Sequence, residues 1–159
     1  MMVGREQRIA DIALDEHAVK RRSAEIEHER ATAIFDLLEK NRFALATKAD
    51  GPFHLHLAME HGKLVMDVRS ATGARIEKIG LGLAEFRRII KDYFLICESY
   101  NHAVRTASLS KVAAIDHGRR ATHNEAGEML RERLADRVEI DLDTARRLFT
   151  LICVLQIGR

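Results

Sequence analysis

The chain has no tryptophan, a single proline and two cysteines, and aromatic residues make up only 5 % of it. So few aromatics leave almost no stacking platform for unpaired bases, which argues against RNA as a partner, and no RNP or KH signature occurs. Cys97 and Cys153 form no CxxC pair, so there is no thiol redox motif. Each lies in an apolar run, where a reduced core thiol is expected. The net charge of +2 is too small to imply nucleic acid, so any electrostatic argument must be local. The densest apolar run, residues 148–157, is broken by Thr150 and Gln156 and is about half the roughly 20 residues a membrane span needs. The first residues, MMVGREQRIAD, contain no apolar signal-peptide segment. A cytoplasmic location with no membrane partner is the expectation.

What is present suits a globular protein. Hydrophobic residues make up 47 % of the 159 residues and charged residues 31 %, enough for one domain with an ordinary core. Apolar positions of residues 83–107 recur at steps of four and three: Phe86, Ile90, Tyr93, Cys97, Tyr100 and Val104. That spacing predicts a long central helix. Ser23 is placed to cap a helix running to about residue 41, with Ile26, Ala33, Ile34, Leu37 and Leu38 inward.

The period then falls from 3.6 to 2. Residues 8–14 alternate weakly, and the charged residues 15–22 are read as a loop. Phe43, Leu45 and Thr47 alternate, and Ala49-Asp50-Gly51-Pro52 is a turn. Residues 53–60 and 63–69 alternate strongly around His61-Gly62, a hairpin turn. With that turn, Met59 faces Leu64, Leu57 faces Met66 and Leu55 faces Val68. A slip of one residue would break the apolar match. On the other face His56 meets Asp67 and His54 meets Arg69, a cross-strand polar ladder. Residues 74–79 suggest a fourth strand.

Ser108 or Ser110 can cap a shorter helix ending near His117, with Gly118 as its C-terminal cap. Thr122-His123-Asn124-Glu125 matches the capping box of another helix, to about residue 135. Asp141 or Asp143 caps a last helix, apolar nearly all round and expected against the long one. The fold class is therefore α+β: an antiparallel meander of three to four strands packed on a helical layer with a long central helix and an apolar C-terminal helix.

Several blocks together resemble a known family. They are His28-Glu29-Arg30-Ala31 running into residues 33–39, Arg87-Arg88-Ile89 with Lys91-Asp92-Tyr93-Phe94, and Ser99-Tyr100. Further on come Ala114-Ile115-Asp116, Gly118-Arg119-Arg120, His123-Asn124-Glu125 and residues 143–151. The chain resembles uncharacterised protein family 0262, small alphaproteobacterial proteins of unknown function, over nearly its whole length. The resemblance implies a bacterial cytoplasmic protein and brings no activity, cofactor or catalytic residue.

The residues themselves offer two basic places. Arg119, Arg120, His123 and Asn124 flank the expected helix start, whose free N–H groups would suit an anion. A polar corner, with the arginines paired to local acids, is the plainer reading. Arg87, Arg88 and Lys91 crowd the start of the central helix, where cations oppose the helix dipole. Asp92 can relieve this by pairing with Arg88. His123 and Glu125 are candidates for acid–base work. No HExxH, no HxxxH on one face and no cysteine cluster occurs, so neither a metal nor another cofactor is expected. Three readings follow. One is a binding or regulatory protein with an Arg/His anion site for a phosphate- or nucleotide-like ligand. The second is a small hydrolase using His123 and Glu125. The third is a homodimeric interaction protein without small-molecule chemistry.

Overall fold

A computed structural model describes residues 6–16 and 23–157. Most of the expected loop at 15–22 lies outside the described residues. The chain runs β1 (Ile9–Leu14), α1 (Ala24–Glu39), β2 (Phe43–Leu45), β3 (Phe53–Glu60), β4 (Lys63–Arg69), β5 (Arg75–Gly82), α2 (Arg87–Thr106), α3 (Leu109–Leu134), β6 (Val138–Ile140) and α4 (Leu142–Gln156). The fold is α+β. Its four-stranded sheet has the order β1-β3-β4-β5, and a two-stranded sheet joins β2 to β6.

The β3–β4 hairpin has the register that its side chains require. Leu55 pairs with Val68, Leu57 with Met66 and Met59 with Leu64, while His56 meets Asp67 on the outer face. The turn works because His61 and Gly62 both take positive φ, 52° and 79°. β5 continues the antiparallel meander from β4. The sheet is not antiparallel throughout: β1 joins β3 in parallel. Nor does the meander include residues 43–45, which pair antiparallel with β6 instead. Both pairings join segments far apart in the chain, which local alternation cannot reveal.

Asn41 ties the two sheets together. Its Oδ1 accepts from the Ile9 amide at 2.7 Å, and its Nδ2 donates to the Ile9 carbonyl at 2.9 Å and to the Leu37 carbonyl at 2.8 Å. The Phe43 amide then donates to the Gln7 carbonyl. The free edge of β1 is thus occupied by one side chain and the start of β2. At the other edge Arg137 donates to the Lys78 carbonyl of β5 and pairs with Glu77.

The helices run differently from the sequence expectation in two places. First, α3 is one helix capped by Ser108, not two. Gly118 lies in its interior, where a Cβ would come 3.0 Å from the Ile96 methyl of α2. The residues that resemble a capping box are also interior. Thr122 donates back to the Gly118 carbonyl at 3.0 Å, the ordinary use of a mid-helix threonine. Asp116 supports the same turns through ion pairs with Arg119 and Arg120. Second, α4 packs against α1 and α3 rather than chiefly against α2. Residues 148–155 of α4 are all buried. It is α4, capped by Asp141, around which the core is built. Leu148 and Ile152 meet Leu130 and Leu134 of α3, and Leu57, Leu64 and Met66 of the sheet, around a gap too small for water.

In α2 the buried residues Ile89, Ile90 and Tyr93 belong to the first half, joined only by Ala103 beyond it. In α3 they are Ala126, Gly127, Leu130 and Leu134, all in the second half. The rest of the two helices forms an antiparallel arm at the margin of the core. Near its tip Leu109 is 89 % exposed and Val104 53 % exposed.

Candidate functional site

The two basic places lie apart, and only one is free. Arg119 is committed to its neighbours. Its guanidinium lies 4.1 Å above the Tyr100 ring of α2. Its Nη2 contacts Asp116 at 2.7 Å, and its Nη1 stands 3.6 Å from Glu29 of α1. One side chain thereby ties three helices. The hydrogen bond from Arg119, followed by the charges of Arg119 and Arg120, holds the Asp116 carboxyl below the usual range. Arg120 is exposed and pairs with the same Asp116. Because α3 continues through this segment, its amides are used within the helix and offer nothing to an anion. The helix-start site expected here is absent, because the helix does not start here.

His123 points inward, and Glu125 does not join it. The imidazole stacks on Tyr93 with centroids 5.0 Å apart and lies 6.2 Å from the Phe149 ring. Its Nε2 is 2.8 Å from the Arg146 carbonyl and 2.9 Å from Thr150 Oγ1. A carbonyl only accepts, so Nε2 carries a proton and donates it to the Arg146 carbonyl. Burial pushes its pKa down to about 4, against the raising effect of the Arg146 carbonyl. Burial likewise pushes Tyr93 well above its ordinary value and Cys97 up to about 11. Cys153 is fully enclosed, whereas Cys97 is only partly buried. Glu125 stands two residues from His123, which on a helix is nearly the opposite side. It is exposed, as is Asn124.

Arg87 and Lys91 are different. Arg88 makes the expected pair with Asp92, at 3.9 Å. Among the described residues Arg87 and Lys91 have no ion pair, and they border a groove of about 540 Å³. Its floor and walls are Met59, Leu83, Ile90, Phe94 and Leu95, with Gln156 at one side. No acidic residue lines it. A neighbouring groove of about 580 Å³ shares Phe94 but carries Glu25 and Glu98, and its Arg105 is paired with Glu25. A smaller one is bordered by Asp36, Glu39, Asp141 and Asp143. Nothing in the first turn of α2 is acidic, and no side chain caps its start.

The two basic places do not combine. Tyr100, under Arg119, lies nine residues beyond Lys91 on α2. That is roughly 14 Å along the axis and a half-turn around it. The apolar groove residues were missed in the sequence, although a signal existed: positions 83, 87, 90, 91 and 94 recur at helical spacing and pass from apolar to cationic and back. Among the described residues no group of three His, Cys, Asp or Glu side chains could hold a metal ion. No described helix is long and apolar enough to cross a membrane.

The fold and groove thus define an α+β protein with a basic, apolar-floored groove. Residues 6–158 match Uncharacterised protein family (UPF0262). The chain belongs to that family. It is 50 % identical over 150 residues to a UPF0262 protein of Azorhizobium caulinodans, covering 93 % of each. It is 52 % identical over 148 residues to one of Rhodopseudomonas palustris, covering 93 % of this chain and 91 % of the relative. With one of Rhizobium leguminosarum bv. trifolii it shares 48 % over 154 residues, 97 % of this chain and 98 % of the other. These names carry no activity, so the function is unknown. No solved structure matches the chain.

Proposed function

We propose that this chain is a cytoplasmic binding or regulatory protein that takes a small anionic ligand in the groove beside Arg87 and Lys91. The observation that carries the reading is that, among the described residues, these two cations have no ion pair and border an apolar floor whose lining contains no acid. Like charges one turn apart repel each other, and cations at a helix start oppose its dipole. Departures from such local rules are expected at functional sites. The volume falls within the roughly 300–1,000 Å³ of small-molecule sites. Two free cysteines suit a reducing compartment.

The test is a thermal-shift panel of carboxylates, phosphate and nucleotides on the parent chain and on Arg87→Ala/Lys91→Ala. Both side chains are exposed, so the variant keeps its fold. A rise in Tm with at least one anion that disappears in the double variant supports the reading. No rise with any anion, or the same rise in both proteins, overturns it. Arg119→Ala is the contrasting control: it lowers the starting Tm and leaves the ligand shift in place.

A second reading, self-association, rests on Leu109 and Val104, exposed near the tip of the α2–α3 arm. Sedimentation velocity tests it: Leu109→Ser/Val104→Ser converts a dimer to a monomer if the arm is the contact. A monomeric parent protein at high concentration ends this reading. The hydrolase reading has no such support, since Glu125 stands away from His123.

A further inference from the structure

We infer that the ligand of this groove is an aliphatic carboxylate, its head between Arg87 and Lys91 and its chain along Leu83, Ile90, Phe94 and Leu95. This rests on the anion-groove reading above and narrows it to one chemical class.

The head group follows from charge and spacing. Arg87 and Lys91 are one helical turn apart, so their Cβ atoms stand about 5–6 Å from each other. Two cations at that spacing can each take one oxygen of a carboxylate, with the planar Arg fork fixing its orientation. No acidic side chain lines this groove to repel such a head, whereas two others carry Glu25 and Glu98 or Asp36, Glu39, Asp141 and Asp143. A further acid-free groove of about 400 Å³ beside Ala103 and Ile115 has a single lysine, Lys111, rather than a pair of cations.

The body of the ligand follows from what the floor cannot do. A nucleobase or sugar needs donors and acceptors for its polar edges, and leaving such groups unpaired against hydrocarbon is costly. This floor is Leu83, Ile90, Phe94, Leu95 and Met59, and its one amide, at the side, offers too few polar atoms for the several edges of a base or sugar. Gln156 donates to the Met59 sulfur at 3.1 Å. Hydrocarbon is the body that such a surface binds without an unmet polar group. Leu95, 54 % exposed, leaves one wall open to solvent, room for a flexible chain rather than a rigid closed pocket. The half-open volume of about 540 Å³ suits a single chain.

Titration calorimetry on the full chain decides the matter. The probes are saturated carboxylates from about six to about twelve carbons, each below its micelle concentration, the matching primary alcohols, inorganic phosphate and AMP. The expected result is carboxylate affinity rising roughly two- to fourfold per added methylene until the groove is filled. The alcohols bind at least tenfold more weakly. Arg87→Ala/Lys91→Ala removes the preference for carboxylate over alcohol, and Leu95→Asp flattens the chain-length slope without unfolding an exposed position.

Other outcomes separate the two claims. Affinity that does not change with chain length, or tighter binding of AMP or phosphate, overturns the aliphatic assignment. If that binding still needs Arg87 and Lys91, the anion groove itself stands. No binding of any probe overturns both. Binding to anionic vesicles without binding to the monomeric carboxylates also overturns the assignment, since the groove then serves a surface rather than a single chain.

Discussion

At the scale of single residues, His123 and Arg119 show how this protein employs side chains that resemble site chemistry. His123 is folded in neutral, below its ordinary pKa of 6.5 and at about 4. A folded-state pKa below the unfolded one means that the unfolded chain binds the extra proton first. The stability this imidazole contributes is therefore complete above pH 6.5 and is lost as pH falls toward 4. The loss is on the order of 3 kcal/mol. His123→Gln is expected to be less stable than the parent at pH 7.5, and the gap should narrow by about that amount at pH 4.5. Urea denaturation at the two pH values measures it, and a constant gap would show that the imidazole titrates normally. Arg119 makes a different prediction. Arg119→Lys keeps the charge but loses the flat stack on Tyr100 and the two-nitrogen contact with Asp116. A loss of roughly 1–2 kcal/mol is expected from these contacts, with no change in any ligand-induced shift.

At the scale of elements, two glycines of α3 should respond oppositely to the same change. Glycine in a helix interior costs about 1 kcal/mol relative to alanine. At Gly118 a new Cβ meets only the tip of Ile96, 3.0 Å away, which can turn aside. Gly118→Ala should therefore raise Tm or leave it unchanged. At Gly127 the Cβ meets Arg146 Cγ at 2.9 Å, Leu142 Cδ1 at 3.0 Å and the Arg146 backbone nitrogen at 3.4 Å. α3 and α4 would have to separate there, so Gly127→Ala should cost about 1–3 kcal/mol. Calorimetric melting of the pair reads the two signs directly. These glycines also explain what the sequence could convey. A glycine after an amphipathic stretch has the same local look whether it ends a helix or admits a neighbour. Gly118 looks like an ending, and the capping-box pattern at Thr122–Glu125 strengthens that look, yet α3 runs through both. The β3–β4 hairpin was legible to the residue because both its strands and its turn are adjacent in the chain. The β1–β3 and β2–β6 pairings were not, since the interactions that hold them join distant segments. For the groove, the cations were visible, but its lining joins residues 59–62, 83–95 and 156, three stretches far apart in the chain. Asn41 belongs to this scale too: Asn41→Ala exposes the Ile9 amide and carbonyl and should cost about 1–3 kcal/mol, read as a lower urea midpoint.

At the scale of the whole molecule, stability should be graded from α4 outward. α4 lies inside a core formed by the sheet, α1 and α3, while the α2–α3 arm has few buried residues near its tip. Regions with little burial open without the rest. Hydrogen exchange followed by mass spectrometry should find the amides of residues 148–155 slowest, and those of residues 104–112 fastest among the helices. Equal protection in the two would mean that the arm is held by something beyond this chain, such as a second copy.

The place of α4 in the chain has a consequence for synthesis. The helix that fills the core is made after every element it packs against. Until it arrives, the inner faces of β3, β4, α1 and α3 have nothing to close on, and β2 waits for β6, made just before it. Nascent chains fold as their units become complete, and here completion comes only with residues 142–156. Until those residues are made the emerging chain presents open hydrocarbon, which makes it a client for chaperones at that stage and a target for proteases if translation stops early.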